Sequence, residues 1–163
     1  FMPNGSLEKS MAKKIPYGTK LRIALEIAKA IDYLHQNNVL HRDIKADNVL
    51  IESTDVNAPN MIRLSDFGSA RKMEEKLETF TKGVGTPVYM APEILRRKRY
   101  NKEADIYSYG VLLWVLITQK EPYTAFKHVW DVSKFVIDGN REAIPAGCPP
   151  DYAQLINDCW CSD

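Results

Sequence analysis

The stretch that most constrains the fold of this chain is KEADIYSYGVLLWVLITQ, residues 102 to 119. Its side chains are apolar nearly all round the predicted helix from residue 106 to residue 117. A helix without a polar face is buried in a protein core or spans a membrane. The strongly apolar part, residues 111 to 117, is far shorter than the roughly 20 residues that a bilayer requires. The stretch therefore predicts a central helix that the other elements of a globular domain surround.

The remaining helices are predicted from amphipathic spacing. The clearest begins at Thr19, a residue type that caps helices well, and continues through KLRIALEIAKAIDYLHQNN with apolar residues three and four positions apart. Asn37 and Asn38 tolerate the left-handed turn that often ends a helix. Three more helices are expected: one capped by Ser6 that carries residues 9 to 14, one over residues 128 to 137, and one over YAQLINDCW.

Two short apolar runs predict a single β-hairpin. NVLIE, residues 48 to 52, and MIRLS, residues 61 to 65, are joined by the turn-rich STDVNAPN. The next segment, residues 66 to 93, has few periodic apolar positions, so we expect an irregular surface segment. A loop of that length in a compact domain is usually functional. The predicted fold is mainly α with a small β-hairpin, in one domain.

Composition narrows the class of protein. The 163 residues are 45% hydrophobic with a formal net charge of +1, which favours an ordered globular domain over a nucleic-acid or membrane-surface binder. Cys148, Cys159 and Cys161 lie near the end, without a second Cys/His pair at zinc-ligand spacing. Free thiols fit a reducing compartment, and no secretory leader pattern opens the sequence. We therefore expect a cytoplasmic protein, with a nuclear location as the alternative.

Residues 41 to 48, HRDIKADN, crowd charged and amide side chains where no helix or strand requires them. Asp43 and Asn48 lie between a predicted helix end and the hairpin, and Asp66 follows the second hairpin strand. If the hairpin brings the strand ends together, these three side chains converge. Mg²⁺ prefers such oxygen ligands and usually shares them with phosphate oxygens. Lys45 would then place positive charge near a phosphoryl group.

These residues resemble the motifs of protein kinases. HRDIKADN is similar to the catalytic loop H-R-D-L-x-x-x-N, with Ile44 in the leucine position. Residues 66 to 68 match D-F-G and residues 91 to 93 match A-P-E, in the family's order. The opening FMPNGSL resembles the end of the kinase hinge, and CPPDYAQLINDCW resembles a helix of tyrosine-kinase-like and tyrosine kinases. The resemblance covers residues 1 to 163 and implies the large C-terminal lobe of a serine/threonine kinase of the tyrosine-kinase-like group.

The resemblance implies a phosphotransfer site that uses ATP, Mg²⁺ and a protein substrate. In that site Asp43 is the catalytic base for the substrate hydroxyl, and Asn48 and Asp66 hold the metal. Lys45 and Thr86 steady the attack, with the Thr86 hydroxyl between Asp43 and Lys45. This arrangement is typical of serine/threonine kinases, whereas tyrosine kinases differ at both positions.

The resemblance also assigns nucleotide-binding and regulatory residues. Leu50 and the main chain of Met2 are expected to form the lower half of the adenine pocket. Arg42 is expected to receive a phosphate carried by Thr79 or Thr81, since charge-assisted hydrogen bonds to a phosphate can order a segment.

Four structural residues complete the set that the resemblance implies. The rings of His41 and Phe67 are expected to stack rather than react. Asp105 is expected to hydrogen-bond the backbone of the HRDIKADN segment from the central helix. Glu93 ends the A-P-E motif, and the arginine that usually pairs with it normally lies further along the chain.

Two kinase features do not occur in these residues. There is no G-x-G-x-x-G loop and no paired strand lysine, which bind the ATP phosphates in kinases. We therefore expect the small lobe to be absent, the kinase domain to be partial and to stop before its last helix, and the isolated chain to be inactive. Two alternatives stay open for the parent protein: a pseudokinase or scaffold lobe used for protein binding, and a dual-specificity or tyrosine kinase. The lobe-lobe surface is expected to favour self-association.

Overall fold

The computed structural model describes residues 4–55, 57–73 and 85–161. Its α-helices are α1 (Leu7–Ser10), α2 (Tyr17–Gln36), α3 (Pro92–Leu95), α4 (Lys102–Thr118), α5 (Val129–Ile137) and α6 (Pro150–Trp160). Its strands are β1 (Val39–Leu40), β2 (Val49–Ile51), β3 (Ile62–Leu64) and β4 (Arg71–Lys72). Short 3-10 turns cover Ala46–Asn48, Phe67–Ser69 and Pro87–Tyr89. The described part of the chain is mainly helical, as predicted.

Helix α4 forms the centre of the core, as its apolar pattern predicts. Every residue from 107 to 116 is buried. The Tyr109 hydroxyl donates to the Ala24 carbonyl of α2, and the Tyr152 hydroxyl of α6 donates to the Leu113 carbonyl of α4. Because each phenol has an acceptor, these tyrosines occupy the core without an unpaired hydroxyl.

Helix α1 is shorter than predicted. Ser6 caps it as expected, but the helix ends at residue 10 rather than residue 14. The side-chain amide of Gln119, just after α4, donates to the carbonyls of Met11 and Lys13 at 3.0 and 2.6 Å. These long-range hydrogen bonds satisfy carbonyls that a continued helix would have paired internally.

Helix α2 begins before its predicted start. The prediction of Thr19 as the N-cap is wrong, because Thr19 lies in the first turn of a helix that starts at Tyr17. Pro16 occupies the cap position, and its carbonyl accepts the Lys20 N–H at 3.0 Å. At the other end, Asn38 has the left-handed conformation predicted there, with φ 55°.

The predicted hairpin is present as β2 and β3, with Val49 opposite Leu64 and Ile51 opposite Ile62. A second antiparallel pair, β1 with β4, was not predicted. Each of its strands has two residues, which is too short for an alternating pattern to show. Strand β1 delivers the chain from α2 directly into the HRDIKADN segment.

The C-terminal part has the two predicted helices α5 and α6. Trp114 and Trp160 are buried, and the Trp114 indole donates to the Ala143 carbonyl at 3.0 Å. All three cysteines are free thiols. Among the described residues, no helix is long and apolar enough to span a bilayer.

Candidate active site

A sharp turn follows β1 at the start of the HRDIKADN segment. Arg42 has φ 68°, in the left-handed region. Asp105 of α4 is fully buried, and its carboxylate accepts the backbone N–H groups of His41 and Arg42, each at 2.9 Å. The central helix therefore fixes the backbone immediately before Asp43. These are the contacts that the resemblance implied for Asp105.

Two more donors surround Asp105, and the sequence did not point to them. His35 Nε2 lies 2.9 Å from Asp105 Oδ2, and the Tyr100 hydroxyl donates to Asp105 Oδ1 at 3.1 Å. Burial, reinforced by the charge of Asp105, raises the pKa of Tyr100 well above its ordinary value, so the phenol keeps its proton. A buried carboxylate needs such donors, since an unpaired buried charge is strongly destabilising.

His41 has a structural position in the site. Its Nδ1 accepts the Asp43 N–H at 3.3 Å, which leaves Nε2 to donate to the Ser65 carbonyl at 3.0 Å. Burial lowers the pKa of His41, against the opposing effect of nearby carboxylates. The ring lies 5.2 Å from the Phe67 ring, centroid to centroid. A neutral imidazole therefore links the HRDIKADN segment to the residues after β3.

Asp43, Lys45, Asn48 and Thr86 form one connected group, which we call the Asp43 cluster. Lys45 Nζ lies 3.2 Å from Asp43 Oδ2 and donates to Thr86 Oγ1 at 2.9 Å. Thr86 Oγ1 donates to Asp43 Oδ1 at 3.0 Å. Asn48 Nδ2 donates to Asp43 Oδ2 at 3.0 Å and to the Asp43 carbonyl at 2.8 Å. These donors orient the Asp43 carboxylate. The Asp43 side chain is mostly buried, with 10% of its surface exposed to solvent.

Thr86 contacts Asp43 and Lys45 because the backbone at Gly85 passes very close to Arg42. Gly85 has φ 89°, and a Cβ there would lie 3.0 Å from both the Arg42 carbonyl oxygen and the terminal methyl of Met90. Only glycine combines this backbone conformation with this close approach. The glycine before Thr86 is thus a requirement of the site.

The hairpin brings Asp66 to the same edge of the molecule. The Ser65 N–H and hydroxyl both donate to the Asn48 carbonyl, at 2.8 and 2.9 Å, which joins the end of β3 to the start of β2. Asp66 follows in a left-handed conformation, φ 61° and ψ 67°. Its carboxylate is exposed and accepts the Gly68 N–H at 3.3 Å. The charges of Asp43 and Asp66 both act on the His41 ring, and both raise its pKa against the effect of burial.

The oxygen donors of Asn48 and Asp66 have the chemistry that Mg²⁺ prefers. The Asn48 amide nitrogen donates to Asp43, and no described residue donates a hydrogen bond to Asn48 Oδ1. Among the described residues, no group of three or more His, Cys, Asp or Glu side chains could hold a metal ion. Mg²⁺ commonly takes only one or two protein ligands beside phosphate oxygens and water, so the pair fits such an ion.

Three of the predicted residues lie outside the described residues: Met2, Thr79 and Thr81. Their adenine-binding and phosphoacceptor roles stay predictions. Arg42 Nε donates to the Ser69 carbonyl at 2.7 Å, and Leu50 lies half-buried in β2.

Glu93 lies in α3 and borders a cavity of about 340 Å³ together with Arg96, Lys98 and Asp158. Its carboxylate makes no ion pair with any described residue. The predicted structural role of Glu93 through an arginine partner therefore stays a prediction.

An acidic group beside the Asp43 cluster was not predicted. The pKa of Glu8 in α1 is raised to about 7 by a hydrogen bond with Asp47, by burial, and by the charges of Asp47 and Glu121. Lys45 opposes this shift. Since these carboxylates belong to segments far apart in the sequence, no local pattern could have revealed the group.

Comparison with known proteins identifies the family of the chain. The family model described as protein tyrosine and serine/threonine kinase matches residues 1–163. A probable LIM domain-containing serine/threonine-protein kinase of Dictyostelium discoideum is 39% identical over 148 residues, which cover 91% of this chain and 22% of that protein. The serine/threonine-protein kinase STY46 of Arabidopsis thaliana is 37% identical over 165 residues, covering 98% of this chain and 27% of that protein.

A mainly helical domain that carries the HRD, DFG and APE motifs in that order, with the Asp43 carboxylate oriented by Asn48 and Thr86, is typical of the protein-kinase class. The chain belongs to the protein tyrosine and serine/threonine kinase family. It spans about a quarter or less of the length of the two relatives named above.

Proposed function

We propose that the protein carrying this chain transfers the γ-phosphoryl group of ATP to serine or threonine hydroxyls of protein substrates. The observation that carries the proposal is the hydrogen-bonded triangle of Asp43, Lys45 and Thr86. The names of the two relatives, both serine/threonine-protein kinases, support the same acceptor class.

In this reaction the substrate hydroxyl oxygen bonds to the γ-phosphorus, the bond from that phosphorus to the ADP oxygen breaks, and the hydroxyl proton passes to Asp43. An ionised carboxylate only accepts hydrogen bonds, and the contacts from Thr86 and Asn48 orient it for this task. Lys45, 3.2 Å from Asp43, supplies positive charge where phosphoryl oxygens gain negative charge.

The nucleotide and the metal are part of the proposal. Asn48 through Oδ1 and Asp66 through its carboxylate would hold Mg²⁺. When bound, this ion neutralises charge on the phosphate oxygens. Leu50, with the main chain of Met2, is proposed to contact the adenine. Arg42 is proposed to bind a phosphate on Thr79 or Thr81.

The 163 residues by themselves contain no G-x-G-x-x-G loop and no lysine in a V-A-I-K-type motif, the two features that bind the ATP phosphates in kinases. We expect the chain alone to be inactive, because half of the nucleotide contacts would be missing. For the location of the protein in the cell, we propose the cytoplasm. The Phe67 side chain is 50% exposed and would contribute to self-association of the isolated chain. Sedimentation velocity that shows only monomer at high concentration would contradict the self-association.

The test uses the full-length protein, radiolabelled Mg²⁺-ATP, and three peptides that differ only in a serine, threonine or tyrosine acceptor. The Asp43→Asn protein serves as the blank. We expect faster labelling of the serine and threonine peptides than of the tyrosine peptide. Preference for tyrosine would assign the other acceptor class, and no labelling above the blank would indicate a scaffold without phosphotransfer.

A further inference from the structure

Ser108 is a buried hydroxyl of α4 to which the phosphotransfer proposed above gives no task. The other residues from 107 to 116 are aromatic, aliphatic or glycine, and Ser108 is only 5% exposed. A hydroxyl in such surroundings needs a hydrogen-bond partner, because an unpaired buried hydroxyl is destabilising. The partners of Ser108 therefore indicate what this side chain does.

The Ser108 hydroxyl lies near two carbonyl oxygens. Ser108 Oγ is 2.8 Å from the carbonyl oxygen of Tyr89 and 3.0 Å from that of Ala104, one turn earlier in α4. Within an α-helix the carbonyl of residue 104 also accepts the backbone N–H of residue 108, so it does not depend on the hydroxyl. The shorter bond, to Tyr89, is the one that joins α4 to another segment of the chain.

The Tyr89 carbonyl depends on this bond. Tyr89 is the last residue of the 3-10 turn Pro87–Tyr89. Continued 3-10 pairing would bring the N–H of residue 92 to its carbonyl, but Pro92 has no N–H. Among the described residues, only Ser108 donates a hydrogen bond to the Tyr89 carbonyl. Ser108 therefore supplies a donor that the turn itself lacks.

The turn that Ser108 holds begins directly after Thr86. The Tyr89 N–H donates to the Thr86 carbonyl at 2.9 Å, which closes the turn. Thr86 Oγ1 in turn lies 3.0 Å from Asp43 Oδ1 and 2.9 Å from Lys45 Nζ. Three successive hydrogen bonds thus connect the Ser108 hydroxyl to the Asp43 carboxylate, through Tyr89 and Thr86.

Helix α4 holds both halves of the site from one face. Asp105 and Ser108 are three residues apart, so their side chains are neighbours on the helix surface. Asp105 fixes the backbone immediately before Asp43, and Ser108 fixes the turn that follows Thr86. Burial raises the pKa of Tyr100, the phenol that donates to Asp105, and an interaction with Ser108 opposes this rise. The two anchors are therefore adjacent on a single rigid element.

We propose that Ser108 is a positioning residue that sets the location of the Thr86 hydroxyl relative to the Asp43 carboxylate, and thereby the phosphotransfer rate. This inference rests on the function proposed above. Ser108 acts through the Tyr89 carbonyl and through Thr86, which donates to Asp43. Orientation of a reacting group contributes strongly to catalysis, so a small displacement of Thr86 lowers the rate. Loss of the Ser108 hydroxyl should therefore change kcat rather than the binding of ATP.

The test measures kcat and the KM for ATP in the full-length protein with Ser108→Ala, with Thr86→Val, and with both substitutions. The matched control is Ser133→Ala in α5, because the Ser133 hydroxyl donates to the Val129 carbonyl one turn earlier in its own helix, at 3.0 Å. Thermal melts verify that every variant is folded at the assay temperature. Hydrogen exchange followed by mass spectrometry reports on residues 85–91 without requiring activity.

We expect Ser108→Ala to lower kcat about tenfold, to change the KM for ATP by less than about twofold, and to speed exchange in residues 85–91. Ser133→Ala should do none of these. In the Thr86→Val background, Ser108→Ala should lower kcat by less than about a further twofold, because residues that act as a unit are not additive. An equal loss of kcat in both backgrounds, or a kcat of Ser108→Ala that matches Ser133→Ala, overturns the proposal.

The exchange measurement separates this inference from the proposed function. Unchanged exchange in residues 85–91 of Ser108→Ala overturns the inference whatever the rates are. If the wild type labels no peptide above the Asp43→Asn blank, the proposed phosphotransfer fails. Faster exchange in Ser108→Ala would then still support the anchoring of the turn after Thr86 by Ser108.

Discussion

Asp105→Asn is the substitution that most sharply tests how the fold supports the site. The buried carboxylate accepts from four donors, two at each oxygen: His41 N–H and His35 Nε2 at Oδ2, and Arg42 N–H and the Tyr100 hydroxyl at Oδ1. Asparagine keeps one oxygen and replaces the other with an amide NH₂. The NH₂ group must therefore face one of the two pairs of donors.

The geometry makes the loss unavoidable. A tyrosine hydroxyl or a histidine nitrogen can reverse and accept a hydrogen bond, but a backbone N–H cannot. In either orientation of the amide, one backbone N–H of His41 or Arg42 is left buried and unpaired. An unsatisfied buried group costs about 1–3 kcal/mol, and losing the charge of the acceptor weakens the remaining bonds. We expect a total loss of about 3–5 kcal/mol in the free energy of unfolding, as for other broken buried charge contacts.

The assay is urea denaturation followed by far-ultraviolet circular dichroism, with a thermal melt as a second measure. For a chain of this size the loss corresponds to a fall in Tm of roughly 6–20 °C. Asp32→Asn, at an exposed position of α2, is the matched control and should change stability by less than about 0.5 kcal/mol. Tyr100→Phe removes one donor and leaves both backbone N–H groups paired. If Asp105→Asn costs no more than Tyr100→Phe, the reasoning about the backbone N–H groups is refuted.

Three other substitutions test separate parts of the account. Gly110→Ala should lower the free energy of unfolding by about 1–3 kcal/mol, because the new Cβ would lie 2.8 Å from the Cys159 Cβ of α6. Gly18→Ala places a Cβ with nothing within 4 Å and should stabilise α2 by up to about 1 kcal/mol. The urea midpoints of the two variants should therefore shift in opposite directions. Gly85→Ala should lower the phosphotransfer rate of the full-length protein roughly tenfold to a hundredfold by displacing the next residue, and an unchanged rate would contradict the close approach. Glu8→Gln removes a carboxyl with a pKa of about 7 in the fold, raised from 4.5, so the wild type loses stability as the pH rises from 4.5 through 7. The variant's unfolding midpoint should exceed the wild type's at pH 8 and come close to it at pH 4, below the unfolded-state pKa; a gain at pH 4 alone would show the wrong sign.

The features that the sequence predicted depend on local patterns. The apolar pattern of α4 requires burial, the two short runs form β2 and β3, and Ser6 caps α1. The contacts of Asp43 with Asn48 and Thr86 were predictable from the resemblance to kinase motifs. A family motif relates segments that are distant in the sequence, whereas periodicity describes only one segment.

The features that the sequence missed depend on long-range contacts. Helix α1 ends early because Gln119, more than a hundred residues away, takes the carbonyls of Met11 and Lys13. His35 resembles an ordinary residue near the end of an amphipathic helix, and only the packing of α2 against α4 shows that it contacts Asp105. Such contacts have no local pattern in the residues that make them.

The central claim is that the Asp43 carboxylate accepts the proton of the attacking hydroxyl. The most direct test compares initial phosphotransfer rates of the full-length wild type, Asp43→Asn, and the control Asp55→Asn in the exposed hairpin loop. Asparagine preserves the shape of the side chain but is a very weak base, so kcat of Asp43→Asn should fall about 10²- to 10⁴-fold while Asp55→Asn stays at the wild-type rate. A folded Asp43→Asn protein with near wild-type kcat would contradict the account.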